Sequence, residues 1–78
     1  MNIDKALGLA IKQNLEERKL SRLKLAEISG VSYSTLFLID KGKQSPSLQI
    51  IYEISIKGFG MNPGKLVSQA YSIMTSTK

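Results

Sequence analysis

Apolar residues recur along most of the chain at the spacing of α-helices, and they predict five of them. The first helix runs from Asn2 or Ile3 to about Arg18, with Asn2 as its cap and Asp4 favourably placed in its first turn. Its inward face is formed by Ile3, Leu7, Ala10, Ile11 and Leu15. Gly8 weakens the helix by up to ~1 kcal/mol relative to alanine, and it either allows another helix to approach closely or is simply tolerated.

Two short helices separated by a glycine form the most distinctive stretch, at about residues 21–42. Ser21 and Ser32 are suited to cap these helices, since a serine side chain accepts a hydrogen bond from an unpaired N–H of the first turn. Gly30 fits the left-handed position that ends a helix. The positions expected to face the core are Leu25, Ala26 and Ile28 in the first helix and Leu36 and Ile39 in the second. So short a connection allows the helices to cross steeply, as in a helix-turn-helix.

A fourth helix is predicted after a loop. Pro46 disfavours helical geometry in the residue before it, so the loop is expected there. Ser47 then caps a helix from Leu48 to about Phe59, which the glycines on either side of Phe59 end. Its buried face is expected to contain Leu48, Ile51, Tyr52, Ile54 and Ser55, with Ile50 and Ile56 beside it.

Asn62 caps a fifth helix, in which Pro63 takes the first position, where its missing N–H costs nothing. The apolar residues of this helix are Leu66, Val67, Ala70, Tyr71, Ile73 and Met74. Residues 75–78 are expected to fray. Five helices, short connections and no strand pattern predict an all-α fold, with one domain over residues 1–78.

The amino-acid composition limits the catalytic and metal-binding chemistry that the chain can carry. Neither cysteine nor histidine is present, which excludes disulfides, thiolate nucleophiles and the usual zinc ligand sets. Glu16 and Glu17 are adjacent and therefore point in different directions on a helix, and the other four acidic residues form no pair in sequence. There is also no glycine-rich phosphate loop. We therefore expect no catalytic residue, no metal, no cofactor and no enzyme. Eleven basic against six acidic residues give a net charge of +5, which suits a polyanion but is also common in proteins that bind none.

The sequence also bears on localisation. No apolar run approaches the roughly 18 residues of a membrane span, and the first residues lack the basic-then-apolar order of a signal peptide. The expected localisation is cytoplasmic, with no membrane partner.

The helix-turn-helix stretch resembles that of a known family. The matching positions are Ala26, Gly30-Val31-Ser32, Leu36, Ile39 and Asp40-Lys41-Gly42, followed by Pro46-Ser47-Leu48. In this spacing the chain is similar to the phage-repressor (Cro/cI, or Xre) class of transcriptional regulators, from about Ala6 to about Val67. The resemblance implies a five-helix, lambda-repressor-like domain whose second motif helix lies in the major groove of double-stranded DNA.

The resemblance also assigns candidate DNA contacts. The base-contacting positions of the family are matched by Tyr33, Ser34 and Leu38. The positions that flank them are matched by Thr35 and Phe37. The part of the motif that contacts the DNA backbone is matched by Lys41, Lys43 and Gln44. Ser32 also lies outward, although it can equally serve only as a cap, and the lysines can equally form a solvated face.

Two positions depart from the family pattern. Arg22 stands where glutamine is usual, and it can clamp a phosphate, reach a guanine edge or remain a surface charge near the cap. The acidic residue that ends the recognition helix is matched by Asp40, but Leu15 occupies the place of its usual arginine partner. Asp40 is then expected to pair with Lys12 or Lys41, or to be solvated.

Phe37 and Leu38 are adjacent large apolar residues in a part of the helix that is usually polar or basic in the family. Because Leu36 and Ile39 already face inward, this pair should lie toward solvent. Phe37 and Leu38 can meet thymine methyl groups in an A·T-rich operator, or they can bind a protein partner. Alternatively, Phe37 turns partly back into the core.

The last two helices carry more apolar residues than one domain needs to cover. The candidates for a symmetric dimer contact are Ile56, Phe59, Leu66, Val67, Ala70, Tyr71 and Met74, some of which can instead belong to the core. A dimer would present two recognition helices to a palindromic operator. The sequence thus favours a homodimeric transcriptional regulator, with RNA polymerase as a further candidate partner. The alternative is a protein-interaction module such as an antitoxin or an anti-repressor.

Overall fold

Residues 1–76 fold into five α-helices, as the apolar pattern predicts, and the fourth continues as a π-helix. The computed structural model describes residues 1–76. The elements are α1 (Ile3–Arg18), α2 (Arg22–Ser29), α3 (Tyr33–Asp40), α4 (Leu48–Tyr52) with its π-helical segment (Glu53–Phe59), and α5 (Pro63–Ser76). Residues 75 and 76 are helical, although the sequence predicts fraying there. The other two residues of that prediction, 77 and 78, lie outside the described part.

The predicted caps are all present and explain where the helices begin. Four cap residues accept a hydrogen bond of 2.9–3.2 Å, through their side chains, from the backbone N–H three residues further along the chain: Asn2, Ser21, Ser32 and Ser47. Asn62 accepts one of 2.8 Å from the N–H of Gly64. Each such bond satisfies an otherwise unpaired N–H, which is worth about 1 kcal/mol. Gly30 ends α2 with a φ of 80°, also as predicted.

The core is assembled around α1, which packs mainly against α5 and α3, while α2 packs against α3 and the π-helical segment. Its buried apolar side chains are Ala6, Leu7, Ala10, Ile11, Leu15, Leu25, Val31, Leu36, Ile39, Ile54, Phe59, Leu66 and Ala70. The predicted inward positions of α3 and most of those of α1 are therefore confirmed. α4 contributes no fully buried residue.

The predicted buried face of the fourth helix is wrong in its first half. Leu48 is 84% exposed and Tyr52 is 46% exposed, whereas Ile54 and Ser55 are buried. The prediction carried the α-helical period through to Phe59. A π-helix bonds to the fifth residue instead of the fourth, which turns the later side chains relative to the earlier ones. Ile54, Ser55 and Phe59 are thus buried, whereas the residue of α4 that packs against the core is the half-buried Ile50.

A close contact with Gly58 sets the inward face of α2. A Cβ on Gly58 would lie 2.5 Å from Cδ1 of Leu25 and 3.6 Å from Cβ of Ser29. Leu25 and Ser29 are both buried, and Ile28 is left exposed at the edge, contrary to the prediction. The sequence predicts that Gly58 and Gly60 both end the fourth helix. Gly58 instead lies inside the π-helical segment, and Gly60, with a φ of 64°, ends it.

Gly8 is the point at which α1 meets the end of α3. A Cβ here would lie 2.6 Å from the carbonyl oxygen of Asp40 and 2.9 Å from that of Ile39. A side chain at this position cannot come so close to two backbone oxygens without moving a helix. The role of Gly8 is therefore to allow close approach, and this contact holds α3 against α1.

Candidate nucleic-acid interface

One face of α3 lies in the core and the other lies in solvent. Leu36 and Ile39 are buried, while Tyr33, Phe37 and Leu38 are exposed. The predicted inward stripe is confirmed, and so is the outward placement of the two adjacent apolar residues. An α-helix fits the major groove of B-DNA, which is about 12 Å wide. α3 therefore has the exposure that insertion into that groove requires.

The hydroxyl groups at the start of α3 are partly engaged. The Oγ of Ser32 accepts from the N–H of Thr35 at 3.2 Å and donates to its Oγ1 at 2.8 Å. Ser32 is therefore a cap, and Thr35 retains its own hydroxyl proton for an acceptor outside the chain. Ser34 is exposed, and its side chain has no hydrogen bond within residues 1–76. Of the hydroxyls of Ser32, Ser34 and Thr35, that of Ser34 is the most available to a ligand.

Asp40 pairs with Arg22, a partner that the sequence analysis missed. The Nη2 of Arg22 lies 2.7 Å from Oδ2 of Asp40, and the two side chains are 28% and 10% exposed. The expectation that Asp40 pairs with Lys12 or Lys41, or is solvated, is therefore wrong. Arg22 is the first residue of α2 and Asp40 the last of α3, so the crossing of the helices brings them together. The sequence feature that could have predicted this ion pair is the presence of opposite charges at the first and last residues of the two motif helices.

Phe37 lies at the surface beside two cations and does not turn back into the core. The guanidinium carbon of Arg22 is 5.8 Å from the centroid of the ring, and Nζ of Lys41 is 5.4 Å from it. Such contacts are worth about 0.5–1 kcal/mol at exposed sites. The guanidinium of Arg22 thus contacts both Asp40 and the ring of Phe37. Its buried Nε has no hydrogen bond within the described residues. The exposed aromatic ring is framed by positive charge.

The turn after α3 is fixed by backbone contacts. The N–H of Lys43 donates to the carbonyl of Leu38 at 2.9 Å. Gly42 has a φ of 70°, and a Cβ on it would lie 2.6 Å from Cγ of Lys5. Lys41 and Lys43 are exposed, and Gln44 is half-buried. Two of the three candidate backbone contacts are therefore presented to solvent from an ordered turn beside α3.

The predicted dimer residues divide into two groups. Phe59, Leu66 and Ala70 are buried in the core of a single chain, where α5 packs against α1 and the π-helical segment packs against α2. They therefore do not belong to an accessible surface, which corrects the expectation for these three. The remaining members are the exposed Ile56, Val67 and Tyr71 and the half-buried Met74.

An apolar groove joins α5 to α4 beside these residues. It has a volume of about 210 Å³, and its lining includes Ile3, Pro46, Ile51 and Val67. Val67 thus lies next to α4, where Leu48 and Tyr52 are exposed. Leu48 and Tyr52, which the sequence pattern assigns to the core, do not line the groove but add exposed apolar surface on α4.

Neither a metal site nor a membrane span is found in the described part of the chain. Within residues 1–76 no group of three or more acidic residues could hold a metal ion. No helix there is both long and apolar enough to cross a bilayer.

Comparison with known families identifies the class of protein. The chain matches the helix-turn-helix family HTH_3 over residues 11–57, which is more than half of its length. The protein therefore belongs to the Cro/C1-type (Xre-like) helix-turn-helix family of DNA-binding regulators, a family that is typically non-enzymatic. Neither the curated proteins nor the solved structures gave a significant match. The matched region includes α2, α3 and the turn that follows them.

Proposed function

We propose that the protein regulates transcription by binding a palindromic operator as a homodimer, with α3 in the major groove. The observation that carries the proposal is the exposed face of α3. This face is held by the Gly8 contact with α1 and by the ion pair between Arg22 and Asp40. A helix fixed at such points can position its side chains against base edges without first having to be ordered.

The base contacts are assigned to the outer side chains of α3. Ser34 can donate to or accept from a base edge, and Tyr33 can use its hydroxyl or place its ring on a thymine methyl group. Phe37 and Leu38 offer apolar surface and no hydrogen-bonding group of their own. Among base pairs, only A·T and T·A present a methyl group in the major groove. We therefore expect an operator with thymines at the positions that meet Phe37 and Leu38.

The phosphate contacts are assigned to the basic residues beside α3. Lys41 and Lys43 supply point charges, and Gln44 supplies an amide from the same turn. Each neutralised phosphate steepens the dependence of log K on log salt by about 0.9. Arg22 braces α3 through Asp40 and offers the exposed edge of its guanidinium to a phosphate.

The homodimer is assigned to the exposed apolar residues of the last part of the chain. Ile56, Val67 and Tyr71, together with Met74, would form a two-fold contact in which each copy presents the same surface. Two copies then place their recognition helices roughly 34 Å apart, one turn of DNA. Such a regulator acts in the cytoplasm, either by covering a promoter or by recruiting RNA polymerase from an adjacent site.

The test compares the double variant Tyr33→Ala/Ser34→Ala with wild type on a site selected from random DNA. Specific complexes usually exceed non-specific ones by at least about 10³-fold, and each lost base contact costs about 1–3 kcal/mol. We expect the variant to lose most of that preference and keep its helical circular dichroism. Leu9→Ala is the control, because Leu9 is an exposed apolar residue of α1 that belongs neither to the DNA-facing side of α3 nor to the proposed dimer surface. Unchanged operator preference in the double variant would contradict the assignment of the contacts.

A second candidate function follows from the same exposed pair. Phe37 and Leu38 could form an apolar surface that binds a protein partner, as in a helix-turn-helix antitoxin or anti-repressor. Such a protein would give only weak, salt-sensitive smearing in gel shifts with genomic fragments. A Phe37→Ala/Leu38→Ala variant would then lose its protein partner with no change in DNA binding.

A further inference from the structure

A polar recess lies between the second half of α1 and α5. Its volume is about 470 Å³, which is within the usual range of roughly 300–1,000 Å³ for ligand pockets. It is lined by Asn14, Glu17, Arg18, Met61, Lys65, Ser68, Gln69 and Ser72. None of these residues belongs to α2, α3 or the turn after α3. The recess is therefore separate from the proposed DNA contacts.

A buried amide organises the floor of the recess. Asn14 is 3% exposed, and its Nδ2 donates to the carbonyl of Ala10 at 2.8 Å and to Oε1 of Gln69 at 2.9 Å. Its Oδ1 accepts from Nη1 of Arg18. Gln69 in turn donates to Oε1 of Gln13 at 2.9 Å. These bonds join α1 to α5 and fix the orientation of the groups that face the recess.

Arg18 is held in place without a carboxylate partner. Its guanidinium carbon lies 5.0 Å from the centroid of the Phe59 ring, in addition to the hydrogen bond with Asn14. Neither Arg18 nor Lys65 forms an ion pair within residues 1–76. An oriented arginine with unused N–H donors suits an anion that accepts two parallel hydrogen bonds, such as a carboxylate or a phosphate.

The opposite wall adds a second cation and two hydroxyls. Lys65, Ser68 and Ser72 follow one another by three and four residues, so they share one face of α5. Glu17 is the only carboxylate among the residues that line the recess. Two cations, two hydroxyls and one acid give the recess a net positive charge.

We propose that this recess binds a small anion carrying a carboxylate or a phosphate group, held by Arg18 and Lys65. The anion charge lies between the guanidinium and the ammonium, and the serine hydroxyls accept or donate at its uncharged parts. A ligand there contacts both α1 and α5. The site gives the regulator a place for an effector within its DNA-binding domain, and it can be tested without DNA.

The test is isothermal titration of the full chain with inorganic phosphate and, separately, with citrate, at constant ionic strength. The tighter of the two anions identifies the preferred group. Lys65→Gln removes one charged donor and should weaken binding about tenfold. Glu17→Gln removes the like charge and should tighten binding about twofold. Lys12→Gln is the matched control, because Lys12 is an exposed lysine of α1 outside the recess, and it should leave binding unchanged.

The difference between Lys65→Gln and Lys12→Gln makes the test specific to this recess, because the two variants change the net charge by the same amount. Equal weakening by Lys65→Gln and Lys12→Gln would show only a general attraction of the basic chain for anions, and would overturn it. Absence of saturable binding of both anions would also overturn it. Circular dichroism of each variant shows whether the fold is retained, and the expected gain for Glu17→Gln cannot arise from unfolding.

Discussion

The helix-turn-helix, α2 and α3, and the later half of the chain, α4 to α5, both expose large apolar side chains, but in different surroundings. On α3, Phe37 lies beside Arg22 and Lys41, and Lys43 follows in the next turn. On α4 and α5, the exposed apolar residues are Leu48, Tyr52, Ile56, Val67 and Tyr71. Exposed apolar surface framed by cations suits a polyanion that also carries methyl groups. The apolar surface of the later half suits a second protein chain.

The two regions also differ in how they are held. Each contains one of the two ion pairs found within residues 1–76. The pair between Arg22 and Asp40 joins two helices at 2.7 Å with both partners partly buried. The pair between Lys57 and Glu53 lies within one helical segment at 3.7 Å, and the lysine is exposed. The helix-turn-helix is thus fixed by a long-range contact, whereas the pair in the later half is a local one. Breaking each pair tests this difference.

The largest effect is expected from Gly8→Ala. The new methyl group would meet the backbone oxygens of Asp40 and Ile39 at less than 3 Å. Overpacking of this kind costs about 1–3 kcal/mol, which exceeds the gain of up to about 1 kcal/mol in helix propensity. We expect a lower free energy of unfolding in urea and weaker operator binding.

Gly64→Ala is the control for Gly8→Ala. A Cβ on Gly64 would approach only Oδ1 of the Asn62 side chain, at 3.1 Å, so we expect no loss of stability and a gain of up to about 1 kcal/mol from helix propensity. If Gly8→Ala were as stable as wild type, α3 would not be held by the contact with α1.

The ion pair between Arg22 and Asp40 should give the next largest effect. We expect a double-mutant cycle with Arg22→Gln and Asp40→Asn to yield a coupling free energy of about 1–2 kcal/mol, because hydrogen bonds between charged, partly buried groups are of that order. Urea unfolding measures it. The cycle with Lys57→Gln and Glu53→Gln is the control, and an exposed pair of this type contributes about 0.3–0.5 kcal/mol. Equal coupling in the two cycles would remove the distinction between the regions.

The smallest effect is expected from Tyr71→Lys on self-association. Placing a charge in the proposed two-fold contact should weaken the dimer about fivefold, or roughly 1 kcal/mol, and leave the monomer folded. Sedimentation equilibrium measures it. Leu23→Lys is the matched control, because Leu23 is equally well exposed but lies on α2. A dimer weakened by Leu23→Lys and not by Tyr71→Lys would move the interface to the helix-turn-helix.

The local parts of the fold could be predicted from the sequence. The caps at Ser21 and Ser32, the left-handed Gly30 and the inward pair of α3 each depend on residues within one or two turns. The outward face of α3, and with it most of the candidate site, follows from the same local pattern.

The contacts between distant residues could not be predicted in this way. Arg22 and Asp40 are 18 residues apart, and their pairing depends on the angle at which α2 and α3 cross. The exposure of Leu48 depends on a π-helix that no cap or glycine before it signals. The burial of Leu66 and Ala70 depends on how α5 packs against α1, which residue type alone does not determine.

The most direct test of the role of α3 is dimethyl sulfate protection on the selected operator, since this reagent distinguishes N7 of guanine in the major groove from N3 of adenine in the minor groove. We predict two patches of guanine N7 protection about one helical turn apart, with adenine N3 still reactive. Protection confined to adenine N3, in a complex that is still sequence-specific, would contradict insertion of α3 into the major groove.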